Sequence, residues 1–286
     1  MKTLALMIAA SLMSAAYALH ADASCDLSSQ SRAVSVASYV EDGKSCLEDL
    51  PGGYGIDPVM EAAFLAHVNK ARLARDLPPL ILRPELAPAA RWHSLDMAAN
   101  DFFSHKGSDQ RSAGHRITAF DRTLLSSVQR ENIAAIRGPY DPETVVKRLH
   151  DGLMNSKSHR QSILADDISH IGLGVITRRD GVWVTQVFVR QDGEFSRHVP
   201  LRIEAGSEIQ QAVSLKGWAA SGLAVRKSDK TTKIGSEGKL SGRIPTSMRG
   251  TYSLTVRGEK PGARKGSRLY IHFTGPRTEI VAPSSS

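Results

Sequence analysis

The chain has 286 residues, a formal net charge of +8 at pH 7, 41% hydrophobic residues and 23% charged ones. These proportions exclude a wholly disordered, collagen-like or polytopic membrane chain, and the length suits one large domain or two of ordinary size. The charge is uneven: residues 193–286 hold 16 Lys+Arg against 7 Asp+Glu, whereas residues 1–192 hold 21 against 22. The excess positive charge therefore lies in the last third, as a solvated basic surface or as one that meets phosphates, sulfates or anionic lipid.

Residues 1–23 have the parts of a secretory signal: Lys2, an apolar run from Leu4 to Leu19, and the small-residue sites Ala16-Tyr17-Ala18 and Ala21-Asp22-Ala23. The run is short for a membrane span and no other stretch approaches that length, so a periplasmic or extracellular mature protein without a transmembrane span is expected. Cys25 and Cys46 are the only cysteines. In an oxidising compartment such a pair usually forms a disulfide, the alternative being two free surface thiols. Residues 24–57 read as an extension with at most one short helix, ending in the breaker cluster Pro51-Gly52-Gly53-Tyr54-Gly55.

Asp57-Pro58 supplies an N-cap and a first-turn proline, and Phe64, Leu65, Val68 and Ala71 follow at helical spacing, which predicts a helix from Pro58 to Ala74. A second helix is expected from Pro84–Pro88 to Asn100, a third after the Asp141 cap with Val145, Leu149 and Leu153 on one face, and a short one near Ser158. The period then changes. Residues 171–176 and 182–189 flank Arg179-Asp180-Gly181 as a β-hairpin. Beyond Gly193 only strand-like runs appear, at residues 200–204, 209–215, 222–226, 238–244, 251–257 and 268–273, which fits a small β-sandwich with a disordered tail.

No nucleophile elbow, H-E-x-x-H, P-loop or dinucleotide fingerprint is present. The informative segments are Phe102-Phe103-Ser104-His105, Glu131-Asn132-Ile133-Ala134 and Asn155-Ser156-Lys157-Ser158-His159-Arg160. Ala66-His67-Val68-Asn69-Lys70-Ala71-Arg72, Ala90-Arg91-Trp92-His93-Ser94-Leu95-Asp96-Met97 and Thr185-Gln186-Val187-Phe188 accompany them. The ordered set resembles the CAP superfamily of cysteine-rich secretory proteins, antigen 5 and pathogenesis-related 1 proteins, in its short bacterial SCP-like form, over roughly Pro58 to Asp192.

The resemblance implies an α-β-α sandwich with a shallow cleft lined by two histidines and one or two glutamates. His105, Glu131 and His159 match those positions, with Ser104, Asn132 and Ser156 as neighbours. The pattern departs at Ser156, where many relatives have a glutamate, and at Leu153, where a tryptophan is usual. Two imidazoles and a carboxylate permit three readings: weak binding of Zn²⁺ or another divalent metal, a purely structural hydrogen-bond network, or metal-assisted, protease-like hydrolysis. His67 and His93 read as packing residues, and Arg72 and Asn69 as hydrogen-bonding ones.

The expectation is thus an α+β protein in four parts: a signal peptide (1–23), an extension with a disulfide (24–57), a CAP domain (58–192) and a basic, Ig-like β-sandwich (193–286). Its expected role is noncatalytic binding of a lipid, glycan or peptide, with no specific nucleic acid as partner. Arg226, Lys227, Lys230, Lys233, Arg264, Lys265 and Arg268 are the candidates for docking to an anionic envelope surface.

Overall fold

The computed structural model describes Cys25 and residues 35–227 and 230–283. The expected signal peptide lies outside the described residues. Helix α1 (Val36–Glu48) begins at Ser35, whose side chain accepts from the Ser38 amide, and Cys46 on this helix is disulfide-bonded to Cys25. Strand β1 (Gly55–Ile56) leads into α2 (Pro58–Leu73), capped by the Asp57 carboxylate accepting from the Met60 amide at 2.8 Å. The short strand β2 (Ile81–Leu82) and a 3-10 turn (Pro84–Leu86) precede α3 (Ala87–Ala99). Then follow α4 (Ala113–Phe120), β3 (Leu124–Arg137), α5 (Val145–Asn155), α6 (Lys157–Ile163), β4 (His170–Arg178) and β5 (Gly181–Phe195).

The strand order β1-β4-β5-β3 forms an antiparallel sheet with helices on both faces. Strand alternation divides its side chains between two cores. Val175, paired with Val184, joins Phe64 and Val68 of α2 and Leu149 and Leu153 of α5 on one face. Ile176, paired with Trp183, joins Tyr39 of α1, Trp92 and Leu95 of α3 and Phe120 of α4 on the other. This is the expected α-β-α sandwich. The extension contributes more than expected, because α1 buries Val36, Tyr39 and Val40 in the second core. Gly174 lets α3 approach the sheet: a Cβ there would lie 2.1 Å from the Arg91 backbone nitrogen.

The rest of the chain is all-β: β6 (Arg202–Glu204), β7 (Glu208–Gln210), β8 (Val213–Leu215), β9 (Ala219–Lys227), β10 (Lys230–Lys233), β11 (Ser241–Arg243), β12 (Gly250–Pro261) and β13 (Arg268–Val281). The order β13-β12-β9-β10 gives an antiparallel sheet, β7 and β11 form a separate ribbon, and Leu223, Val225, Leu254, Val256 and Phe273 share a core with Ile209 of that ribbon. The single run expected over 209–215 is two strands, since β7 pairs with β11 whereas β8 pairs with β5.

The two regions are joined through more than a linker. The expected boundary at 192/193 falls inside β5, and β3 pairs with β13 at Ser126 and Thr274. Leu125 and Phe195 from the sandwich strands lie in the C-terminal core. The buried Arg122 side chain donates to the carbonyls of Val199 (2.8 Å), Pro200 (2.9 Å) and Ala119 (3.0 Å). No helix among the described residues is long and apolar enough to cross a membrane.

Candidate binding cleft

His105 stands on the loop after α3, and neighbouring side chains fix that loop from beneath. The His93 ring, wholly buried in α3, donates from Nε2 to the Ser104 carbonyl at 2.9 Å. The Asp96 carboxylate accepts from the Ser108 amide at 3.0 Å and from Asn100 Nδ2 at 2.8 Å. Arg116 of α4, also buried, donates from Nη2 to the His105 carbonyl at 3.0 Å and from Nη1 to the Arg111 carbonyl at 2.7 Å.

Glu131 lies in the middle of β3, its side chain only 3% exposed. Its Oε1 accepts from His105 Nδ1 at 2.9 Å and its Oε2 from Arg116 Nη2 at 2.6 Å, while His93 Nε2 lies 4.0 Å from Oε1. Burial would push this carboxyl up, but the His105 hydrogen bond and the Arg116 charge outweigh it and hold Glu131 below the usual range. Burial, with the Arg116 charge second, drives the His93 imidazole down to about 3.

His159 sits in α6, with its ring centroid 6.4 Å from that of His105 and the planes inclined at 50°. Its carbonyl accepts from Asn132 Nδ2 at 3.0 Å. Glu131 and Asn132 are successive strand residues and so point to opposite faces. The His105 ring is hydrogen-bonded to the first and the His159 backbone to the second. Burial, then the nearby His105, lowers the His159 pKa. Asn132 and Gln186 are fully buried and 3.3 Å apart, with Asn132 Oδ1 and Gln186 Nε2 left unpartnered.

The structure thus brings His105, Glu131 and His159 together, with Ser104 and Asn132 as backbone and floor. Ser156 joins α5 to α6, its Oγ 3.4 Å from Ser158 Oγ, and supplies no carboxylate. In this arrangement Glu131 turns towards His105 and Arg116 rather than standing with both imidazoles around one point. Both Glu131 oxygens are engaged, one by a buried guanidinium, and among the described residues no group of three or more His, Cys, Asp or Glu is arranged to hold a metal ion.

Arg116 and the electrostatic part of His93 are what sequence reasoning missed. Arg116 carries no motif, and its only signal is a lone cation between the apolar residues of a short helix. Arg72 and Asn69 hold the chain after α2: Arg72 donates to the carbonyls of Pro78, Ile163 and Ala165, and Asn69 to that of Leu80.

The seven basic candidates are spread over the C-terminal sheet. Lys227 and Lys230 pair across the β9–β10 hairpin, with Lys227 5.6 Å from the Tyr252 ring centroid, on the face that carries Val225. Arg226 and Lys233 belong to the opposite face. Arg264 and Lys265 lie in the turn between β12 and β13, and Arg268 pairs with Glu259. Arg226 is opposite Ser253. The second turn begins eight residues further along β12, roughly 26 Å away at strand rise.

Residues 65–188 match the family model of the cysteine-rich secretory protein family, so the chain carries a CAP domain. It is 33% identical over 121 residues to the Bacillus subtilis protein YkwD, covering 42% of this chain and 43% of that one. It is 30% identical over 138 residues to the B. subtilis membrane protein YlbC, covering 48% and 36%. Thus the chain spans less than half the length of these curated relatives. Among solved structures, an extracellular SCP-domain protein from Bacillus anthracis is similar at 28% identity, with a TM-score of 0.41 over 47% of this chain and 41% of that one. An outer surface protein from Borrelia burgdorferi is similar at 17% identity, with a TM-score of 0.40 over 46% and 93%.

Proposed function

We propose that this chain is an exported binding protein whose CAP cleft receives a lipid, glycan or peptide group between His105 and His159 without transforming it. Its basic C-terminal region docks it to an anionic envelope or extracellular surface. The observation that supports a noncatalytic cleft is the state of Glu131. A general base must be placed to take a proton from substrate or water, and a metal-binding carboxylate must present a lone pair to an open site. Glu131 is buried, turns one oxygen to His105 and the other to Arg116, and is held ionised by the His105 hydrogen bond and then by the Arg116 charge. The His105 and His159 edges are the accessible polar groups: the His105 side chain is 55% exposed. Among the described residues no serine, threonine or cysteine side chain bonds either ring, so an activated nucleophile is not in place. The leader-like N-terminus and the disulfide support export.

The test is to offer casein and a fluorogenic peptide to the mature protein, with and without added Zn²⁺, beside His105→Ala/His159→Ala. The expected result is no turnover above that of the double variant, together with heparin retention that falls steeply with salt. Turnover lost in the double variant would establish the hydrolase instead.

A further inference from the structure

The outer face of the C-terminal sheet holds a recess that the sequence analysis did not anticipate. Strand register assembles it. On β9, Gly222 and Ala224 form the floor; Lys233 of β10 is opposite Ala224, Arg257 of β12 is opposite Gly222, and His272 of β13 is opposite Arg257. With Thr231, these residues enclose about 250 Å³. A Cβ on Gly222 would meet nothing within 4 Å, so the floor is open there.

Arg257 is held in place rather than waving in solvent. Its Nε donates to Ser221 Oγ at 2.9 Å, its Nη2 to Glu237 at 2.6 Å, and its guanidinium lies 5.0 Å from the Tyr270 ring centroid. Nη1 is uncommitted among the described hydrogen bonds. Glu237 is the anion paired with this group, and its side chain is largely exposed. Lys233 and Arg257 both line the recess, and three strands contribute donors: an ammonium, a planar guanidinium edge and an imidazole, with the Thr231 hydroxyl beside them.

We propose that this recess is a binding site for a phosphate ester group, carried by a sugar or by a lipid headgroup. Tetrahedral oxyanions match a donor-rich set of this kind, with Arg257 presenting a fixed guanidinium and Lys233 a mobile point charge. The recess is larger than the phosphate itself and leaves room for the group that bears it. The proposal deepens the docking role and rests on it only for the class of surface.

His272 is the built-in reporter. Burial lowers its pKa, and the positive charges of Arg257 and Arg226 lower it further. Lys233 lines the same recess from β10, and Glu237, through Arg257, is the opposing charge. A phosphate among these groups would favour the imidazolium, so the His272 titration midpoint rises on binding and affinity increases as pH falls through that midpoint.

The experiment follows the His272 ring signal of the mature chain by NMR, assigned with His272→Gln, at low salt. Inorganic phosphate, a hexose 6-phosphate and phosphatidylglycerol vesicles are the probes. Phosphate and hexose phosphate are expected to raise the His272 midpoint. Lys233→Ser should weaken binding about tenfold, the scale of one charge-assisted hydrogen bond, and Glu237→Gln should tighten it. Vesicles that compete with hexose phosphate would identify the headgroup as the source; hexose phosphate bound with no vesicle binding would identify the sugar and defeat membrane docking alone. An unmoved His272 midpoint with every probe, or affinities unchanged by both Lys233→Ser and Glu237→Gln, would overturn the recess. Vesicle binding indifferent to both variants would do so while leaving the docking role intact.

Discussion

Protonating His93 would place a second cation beside Arg116 in a site closed to water, and its folded-state midpoint of about 3 reflects that cost. His150, buried between helices with its ring stacked 5.2 Å from His67, is driven down to about 4 by burial and then by that neighbour. In the unfolded chain both would titrate near 6.5. Above that pH they are neutral in both states and contribute no pH dependence. As pH falls from about 6.5 towards 3, the unfolded state takes up protons that the folded state refuses, so stability declines by up to about 1.4 kcal/mol per pH unit for each group. Urea denaturation at pH 7 and pH 5 should show this loss, and His93→Gln should reduce it by the His93 share while the His150 share remains. An equally steep decline in that variant would mean that His93 is not the group responsible.

At the level of elements, the sequence made the capped helices plain and concealed the strand that matters most for the cleft. Asp57-Pro58 and the apolar spacing behind it locate α2 within a residue of its observed end. Strand β3 is hidden because Gln129-Arg130-Glu131-Asn132 interrupts the apolar alternation, and those polar side chains turn out to build the site. Helix α4 has only eight residues, too short for a periodic signal, yet it delivers Arg116. The residues that converge could be named from their motifs, but the charge that fixes Glu131 comes from a segment without one. Contact between α3 and the sheet is equally silent in composition until Gly174 is placed. Gly174→Ala is expected to cost about 2 kcal/mol or more, because its Cβ would collide with the Arg91 backbone rather than with a flexible side chain. Thermal melts of this variant beside Gly152→Ala, where a Cβ meets nothing, provide the comparison. Equal melting temperatures would contradict the close approach.

Across the whole molecule, the CAP region and the all-β region share structure at Leu125, Phe195, Arg122 and the β3–β13 pair. A contrast in charge marked the C-terminal third as different, but charge carries no information about which core a strand enters. Phe195, on a sandwich strand, is 1% exposed within the C-terminal core. Phe195→Ala is expected to destabilise the mature protein by about 3–5 kcal/mol and to shift one cooperative unfolding transition. Two separate transitions, only one of them moved, would show that the regions unfold independently. The proposal of a noncatalytic cleft rests on Glu131 being a buried anchor for Arg116, and one measurement addresses it: the unfolding free energy of Glu131→Gln in the mature chain, with Zn²⁺ affinity read on the same samples. Removing the carboxylate leaves Arg116 buried without its counter-ion, so a loss of about 3–5 kcal/mol is expected, largely recovered in Glu131→Gln/Arg116→Met, with Zn²⁺ affinity unchanged. Unchanged stability together with a sharp loss of Zn²⁺ affinity would show that Glu131 is a free metal ligand and that the cleft is built for chemistry.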